Sequence, residues 1–298
     1  MFHTINQVPY GARFLPSNAD PTNPSVSLPD SFLVPYVGFS PSLYIIDFSG
    51  KSNYNSLQVT ANRRYSKGLL YGVAYTWSKA MNLSDSETGS MPMFKDASWI
   101  YGKAGYDQTH VLTFNVVWDV PKGSKLVPEG ARKATGLVLD NWQVSTFAVF
   151  ASGTPAGIGY SLTDNADITG GAGDGARVIV TGKAPLPRGD RNFDRWFDTT
   201  VFARPPKGNA GNAPKDVFRG PGTNNWDCSV FKNFPIRSEK RMVQFRAEFY
   251  NAFNHTQYSG VNATARFDTA GKQTNAQLGQ VTATRSPRVI QFALTFRF

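Results

Sequence analysis

The sequence contains a single cysteine, Cys228, so no disulfide can form within the chain, and the ordinary reading of Cys228 is a small apolar strand residue. Its three histidines, His3, His110 and His255, are scattered and show no metal-ligand spacing. No run of about 18 apolar residues occurs, which excludes a transmembrane helix. A membrane-crossing strand is not excluded, because it needs only about 9–11 residues with every second one apolar. The mean hydropathy of -0.32 therefore does not decide between membrane and solution. The opening stretch MFHTINQVPYGARF lacks a basic segment followed by an apolar one, so no secretory leader is read there. No G-x-S-x-G elbow, Walker loop, H-E-x-x-H or dinucleotide fingerprint is found. The expectation is a protein that is not an enzyme, with no catalytic residues, metal ligands or cofactor.

The charge balance is basic, with 31 Lys and Arg against 21 Asp and Glu. These cations are spread along the chain, and the densest pairs, Arg63-Arg64 and Lys240-Arg241, fall near predicted turns. Nucleic acid is not an expected partner. Anionic headgroups at a bilayer surface account for scattered turn cations equally well.

Residues 1–52 are rich in Pro, Ser, Asn and Gly, and read as an irregular segment with room for a short strand between Phe32 and Phe48. Residues 53–298 carry a different pattern. Leu57, Val59, Ala61 and Tyr65 alternate with Ser56, Gln58, Thr60, Asn62 and Arg64. After the turn Ser66-Lys67-Gly68, Leu69, Tyr71, Val73, Tyr75 and Trp77 alternate with Leu70, Gly72, Ala74, Thr76 and Ser78, which predicts a hairpin with one apolar face and one small or polar face. A loop is read from about Lys79 to Tyr106. His110, Leu112, Phe114, Val116, Trp118 and Val120 share the next apolar face, and Pro121 is expected to end that strand. Trp142 to Ala151 reads as a strand whose facing the sequence leaves open, since Phe147 and Val149 oppose Val144 and Phe150.

Residues 152–222 read as a long structureless loop. Trp226 to Phe234 is the next strand, with Pro235 expected to stop it. Past the connection at Arg237-Ser238-Glu239-Lys240, Val243, Phe245, Ala247 and Phe249 alternate with Gln244, Arg246, Glu248 and Tyr250. A loop from about Asn254 to Pro287 leads to the last strand, where Ile290, Phe292, Leu294, Phe296 and Phe298 alternate with Gln291, Ala293, Thr295 and Arg297.

Two features favour a barrel in a bilayer over a soluble one-sided sheet. Connections alternate between short and long, as they must when turns and loops lie on opposite sides of a membrane. The non-apolar faces carry charged and amide side chains in mid-strand, while aromatics gather near the ends of the apolar faces. Ile290, Phe292, Leu294, Phe296 and the terminal Phe298 have the form of a barrel-assembly signal. The expected fold is all-β, with antiparallel transmembrane strands in a partial barrel of about seven or eight strands and long extracellular loops. The expected location is the bacterial outer membrane, and the expected partners are outer-membrane lipid and the barrel-assembly machinery. The rival is a soluble or secreted β-rich module that binds carbohydrate or protein through the loops at 79–106 and 152–222.

Three smaller patterns remain. Gly170 to Gly175, with Asp164, Asp167 and Asp174, matches part of one calcium-binding nonapeptide, but such repeats act in stacked arrays, so a plain loop is expected. Asp190, Asp194 and Asp198 with Arg188, Arg191 and Arg195 stand at near-helical spacing and predict a short salt-bridged helix. Arg246 and Glu248 share one face and are read as lumen polarity, with an ion pair to a neighbouring strand.

The stretches YNSLQVTANRRYSKGLLYGVAYTWSKAM, DQTHVLTFNVVWDVP, NWQVSTFAVFASGTP, FRAEFYNAFNHTQYSG and SPRVIQFALTFRF occur in an order that resembles the TonB-dependent receptors, in the Oar-like branch with a carboxypeptidase-regulatory-like domain. The resemblance covers about residues 35–298 and lies in the family's C-terminal barrel region. It implies an outer-membrane barrel of about 22 strands, a plug, and energy coupling through the TonB protein. The sequence departs from that pattern in having about seven strands and no plug or TonB box. Coupling to TonB is therefore expected only through a missing N-terminal plug region. The chain is expected to be a fragment, a truncated gene product or part of a larger assembly. Its ligand-binding residues and transported ligand are not legible in the sequence.

Overall fold

The computed structural model describes residues 1–86, 89–171, 176–236 and 238–298, with the backbone alone for 238–240. Seven long strands form one antiparallel sheet: β1 (Ser52–Ser66), β2 (Leu69–Asn82), β3 (His110–Asp119), β4 (Trp142–Ala151), β5 (Thr223–Ile236), β6 (Ser238–Tyr250) and β7 (Val289–Arg297). Each strand pairs with the next in chain order, which makes an up-and-down meander, and the short strand Gly102–Lys103 extends the end of β2. Strand lengths run from 9 to 15 residues, enough to cross a hydrocarbon layer at a tilt. β1 and β7 do not pair with each other, so the barrel is not closed.

The β1–β2 hairpin turns where Lys67 (φ 52°) and Gly68 (φ 79°) both take positive φ, the two-residue turn whose twist suits antiparallel strands. A Cβ on Gly68 would also lie 3.2 Å from the Asp119 side chain. Around this turn the register slips between Arg63 and Ser66, and the Tyr65 hydroxyl donates to the Asp119 carboxylate. Tyr65 therefore departs from the simple alternation, while Arg63 falls opposite Tyr71 and donates to the Ser66 carbonyl at the end of the strand.

Register decides which residues share a face. Val59, Tyr75, Leu112, Phe150 and Asn224 form one continuous row, and Leu57, Trp77 and His110 another. Nearer the turns run Leu69, Trp118, Val144, Val230, Ala247 and Phe292. These rows lie on the apolar face. β4 thus presents Trp142, Val144, Thr146, Ala148 and Phe150 on the apolar face, and Gln143, Ser145, Phe147 and Val149 on the polar one. The β5 strand is not stopped by Pro235: it continues to Ile236 through a slip at Pro235/Ile236, the kind of irregularity that a strand proline, lacking an N–H, tolerates. β2 likewise runs to Asn82, beyond the expected start of its loop.

All the long connections emerge at one end of the sheet. They are residues 83–109, 152–222 and 251–288, joined there by residues 1–51. The other end carries the two-residue turn at 67–68, the link at 237 outside the described residues, and residues 120–141. That last link contains the helix α1 (Arg132–Leu139).

The long loops are not structureless. Ile158, Leu162, Val178, Phe197, Phe202, Phe218, Ala265, Phe267 and Leu278 pack into one buried core, drawn from both 152–222 and 251–288. Gly159–Leu162 pairs in parallel with Thr264–Phe267, joining the two loops backbone to backbone. The segment before β1 is held to the same end. Phe2–Thr4 pairs with Tyr44–Ile46 and with Ser90–Met91, and the buried Asn6 side chain bonds the backbone of Tyr36 (2.8 Å) and Ser40 (3.0 Å). The expected helix over the Asp/Arg cluster is corrected to a single 3-10 turn, Arg188–Asp190. The cause is local: the Asn192 carboxamide accepts from the N–H groups of Asp194 and Arg195, which diverts the backbone from a helix. Only Arg195 and Asp198 of that cluster pair, at 3.4 Å, among the described residues.

Candidate functional site

The sheet has two chemically opposed faces. The apolar one carries exposed large side chains along its whole width, from Leu57, Val59 and Trp77 to Phe292 (65% exposed) and Leu294 (72%). Water would not tolerate such a continuous band on a soluble monomer. Trp77, Phe150 and Trp226 stand near its loop end, and Trp118, Trp142 and Phe234 near its turn end, as interfacial girdles do. Ile290, Phe292, Leu294 and Phe296 lie on this face along the outer strand β7, and Phe298 follows them, 95% exposed. Phe292 stacks on Phe245 at 6.0 Å.

The opposite face is lined with amides, hydroxyls and charges. Gln143 donates to Asp119 (2.7 Å) and Gln244 to Asn233 (2.9 Å), both between neighbouring strands. Gly72 sits between Asn62 and Asn115, and a Cβ there would come within 2.5 Å of the Asn115 side-chain oxygen. Arg246 pairs with Glu248 of its own strand at 3.5 Å. The expected cross-strand pair is corrected, because register sets Phe231 and Ala293 beside Arg246, and Ser229 and Gln291 beside Glu248.

The head formed by the loops is tied to the sheet by charge. The fully buried Asp107 carboxylate accepts from the Ala80 N–H (2.6 Å) and pairs with Arg219 (2.5 Å), whose guanidinium also reaches the Gly153 carbonyl (2.9 Å). A buried carboxylate needs such complete pairing. Lys103 pairs with Asp216 at 2.7 Å. On the far side, Arg13 bridges Asp30 (2.6 Å) and Asp167 (2.8 Å). Burial disfavours the charged form of Asp167, but bonds from Arg13, the Gly170 N–H and Thr169 outweigh it and hold its carboxyl below the usual range. Burial lowers the Arg177 guanidinium, which lies 4.1 Å from the Trp99 ring and donates to the Trp99 carbonyl.

A cavity of about 1260 Å³ opens where the head meets the strand ends. Leu112, Phe150 and Asn224, one row of the sheet's apolar face, form its floor. Arg188, Arg191 and Trp196 come from the 152–222 loop, and His255, Gln257 and Tyr258 from the last loop. Trp196 is fixed by its indole N–H bond to the Arg219 carbonyl (2.8 Å) and by edge contact with Tyr258. The buried Asn224 side-chain oxygen meets no donor among the described residues. The sequence marks Leu112 and Phe150 as strand residues and Arg188 and Arg191 as part of the Asp/Arg cluster, but it gives none of the cavity residues a binding role.

Of the suspected calcium loop, Asp164 pairs with Arg204 (3.3 Å) and Asp167 with Arg13, while residues 172–175, including Asp174, lie outside the described residues. The connection at Arg237 to Lys240 also lies outside them in its side chains. The histidines stand apart: His110 bonds the Tyr75 hydroxyl (2.8 Å), His3 lies 3.6 Å from Asp47, and the His255 N–H is held by Asn251. Cys228 lies on the apolar face of β5, opposite Thr146.

No curated protein and no solved structure matches this chain. A family model described as an outer membrane beta barrel domain matches residues 2–291. With its lipid-suited outer face, polar inner face and loops gathered at one end, the chain belongs to the outer-membrane β-barrel family of the bacterial outer membrane.

Proposed function

We propose that this chain is a barrel-wall and loop component of a TonB-dependent outer-membrane receptor, serving ligand uptake and no catalytic step. The observation that carries this reading is the combination of a polar, charged inner face with a folded head over the loop end. A lumen is useful to a transporter, and a head that shares a core across two loops is a preformed surface for ligand capture. The cavity where the head meets the strand ends backs onto the apolar side of the sheet, so the proposed capture site is its loop-borne rim, Arg188, Arg191, Trp196 and Gln257.

An open sheet cannot sit in lipid with two unpaired edges, since each bare N–H and C=O would lack a partner. The proposal therefore requires the edges of β1 and β7 to be paired in the membrane by strands outside this sheet. Energy coupling comes from TonB acting on a plug, and Ile290, Phe292, Leu294, Phe296 and Phe298 are the signal by which assembly machinery receives the barrel. Retrieval from solubilised outer membranes with the periplasmic domain of TonB tests the reading. Capture of the protein together with the plug region on which TonB acts is expected. A protein that is folded in the outer membrane but never captured would remove the receptor assignment and leave the barrel.

A further inference from the structure

The long turn-side link between β3 and β4 does not hang free below the barrel. Its helix α1 folds back against the apolar face. The Lys232 ammonium, on that face, donates to the Val138 carbonyl (3.1 Å) and to the Asp140 carbonyl. The Trp142 indole N–H, also on that face, donates to Val138 (2.6 Å). Lys232 is 3% exposed and lies 5.1 Å from the Trp142 ring and 5.3 Å from the Phe234 ring. A cation at the carbonyl end of a helix is favoured by the helix dipole. Ser124 closes the link by donating to both oxygens of Asp140 (2.9 and 2.6 Å).

What this leaves outside is unusual for a turn. Leu126 is 90% exposed, and Leu137 and Val138 are 64% exposed each. Lys122, Lys125 and Lys133 stand beside them and form no salt bridge among the described residues, where Arg132–Glu129 (3.0 Å) is the segment's ion pair. Exposed aliphatic side chains flanked by lysines outside any salt bridge, next to the tryptophan girdle of a membrane-crossing face, have the chemistry of an interfacial helix. The patch is continuous with the lipid-facing band through Trp142 and Lys232, so the surface that covers the band reaches the patch as well.

We propose that α1 and the turn before it form a binding site for anionic phospholipid at the turn side of the outer membrane. Leu126, Leu137 and Val138 enter the boundary between headgroups and acyl chains, and Lys122, Lys125 and Lys133 hold the headgroup phosphates. The site sets the depth of the β3–β4–β5 end of the barrel. It rests on the outer-membrane location and not on the receptor reading, so loss of TonB capture leaves it standing.

The test uses the full chain, purified with the outer-membrane proteins that pair its sheet edges, in vesicles of phosphatidylethanolamine with or without phosphatidylglycerol. A fluorophore is placed at Leu137→Cys in a Cys228→Ser background, with Asn209→Cys in the head as the aqueous reference. A boiled-against-unboiled mobility shift checks folding of every variant. The expected result is quenching at 137 by headgroup-level nitroxide lipids and shielding from aqueous iodide, with 209 open to iodide. Each of Lys122→Gln, Lys125→Gln and Lys133→Gln is expected to weaken the shielded state about five-fold in phosphatidylglycerol vesicles and to have no effect without that lipid. Equal iodide access at 137 and 209 in both vesicle types overturns the proposal. So does shielding that ignores both phosphatidylglycerol and the lysines.

Discussion

The sheet and the head are built from the same residue types and bury them in opposite ways. In the sheet, Phe292, Leu294 and Phe296 point outward and stay exposed, while in the head Phe197 and Phe267 are completely enclosed. The sheet keeps its polar groups on the inside, where Gln143 meets Asp119 and Gln244 meets Asn233. The head keeps its apolar groups inside, as a water-soluble domain does. The contrast teaches that one chain is folded for two solvents. Lipid surrounds the strands, so their backbone must be satisfied by strand pairing and their outer side chains need no cover. Water surrounds the head, so its fold depends on a core.

Four experiments would break or sharpen this contrast. Phe197→Ala is expected to have the largest effect, about 3–5 kcal/mol on the head, because it empties the centre of an enclosed core. Hydrogen exchange should show the 152–222 and 251–288 loops opening while the strands keep their protection; loss of both together would mean that the sheet depends on the head. Asp107→Ala comes next, at about 3 kcal/mol, since it strands the Arg219 guanidinium and the Ala80 N–H. Limited proteolysis should then cut between the sheet and the head, and an unchanged digestion pattern would show that the charge tie is dispensable.

Val116→Arg on the lipid face should cost about 2–4 kcal/mol near the bilayer midplane, whereas Ser145→Arg on the inner face should cost little. Urea unfolding from vesicles would read both, and equal costs would contradict the assignment of faces. The smallest effect is a pH dependence at the Arg13–Asp167 tie. A carboxyl held below its ordinary range stabilises the fold at neutral pH and loses that contribution only as pH falls through the lowered value. Protection of the backbone around Gly170 should therefore stay level from pH 7 down to about 4 and fall below that. A loss centred above pH 5 would assign the tie to another group.

How much of this was legible depended on the range of the interactions. The β1–β2 hairpin and β6 could be read directly, because Leu69 to Trp77 and Val243 to Phe249 alternate without interruption and a one-residue slip would turn every apolar side chain to the wrong face. The β4 strand could be found but not faced. Thr146 and Ala148 sit on its lipid side and Phe147 and Val149 on its inner side, so composition no longer marks the faces and only pairing with β3 and β5 does. Pro235 misled as a stop, because a strand can slip past a proline where a neighbour permits it.

The head was invisible in the sequence for a different reason. Its ties join residues far apart: Asp107 to Arg219, Arg13 to Asp167, Gly159–Leu162 to Thr264–Phe267. Its apolar residues follow neither a period of two nor one of 3.6, so no local pattern announces a core. Glycine and proline between them read as loop, which is correct for the backbone and silent about packing. The cavity residues were missed with it, since Trp196, Asn224 and Tyr258 become neighbours only once the two loops share that core.

The sequence by itself determined the strands, their order and, for every strand but β4, the side that faces lipid, because period-two patterning is a local record of two different surroundings. It also determined that the long connections share one end, since strands of an up-and-down sheet alternate in direction. Tertiary structure alone decided that those connections fold into one head, that α1 turns back onto the lipid side through Lys232 and Trp142, and that β1 and β7 do not pair with each other. Each of these depends on contacts between residues that the chain brings together only after the sheet has formed.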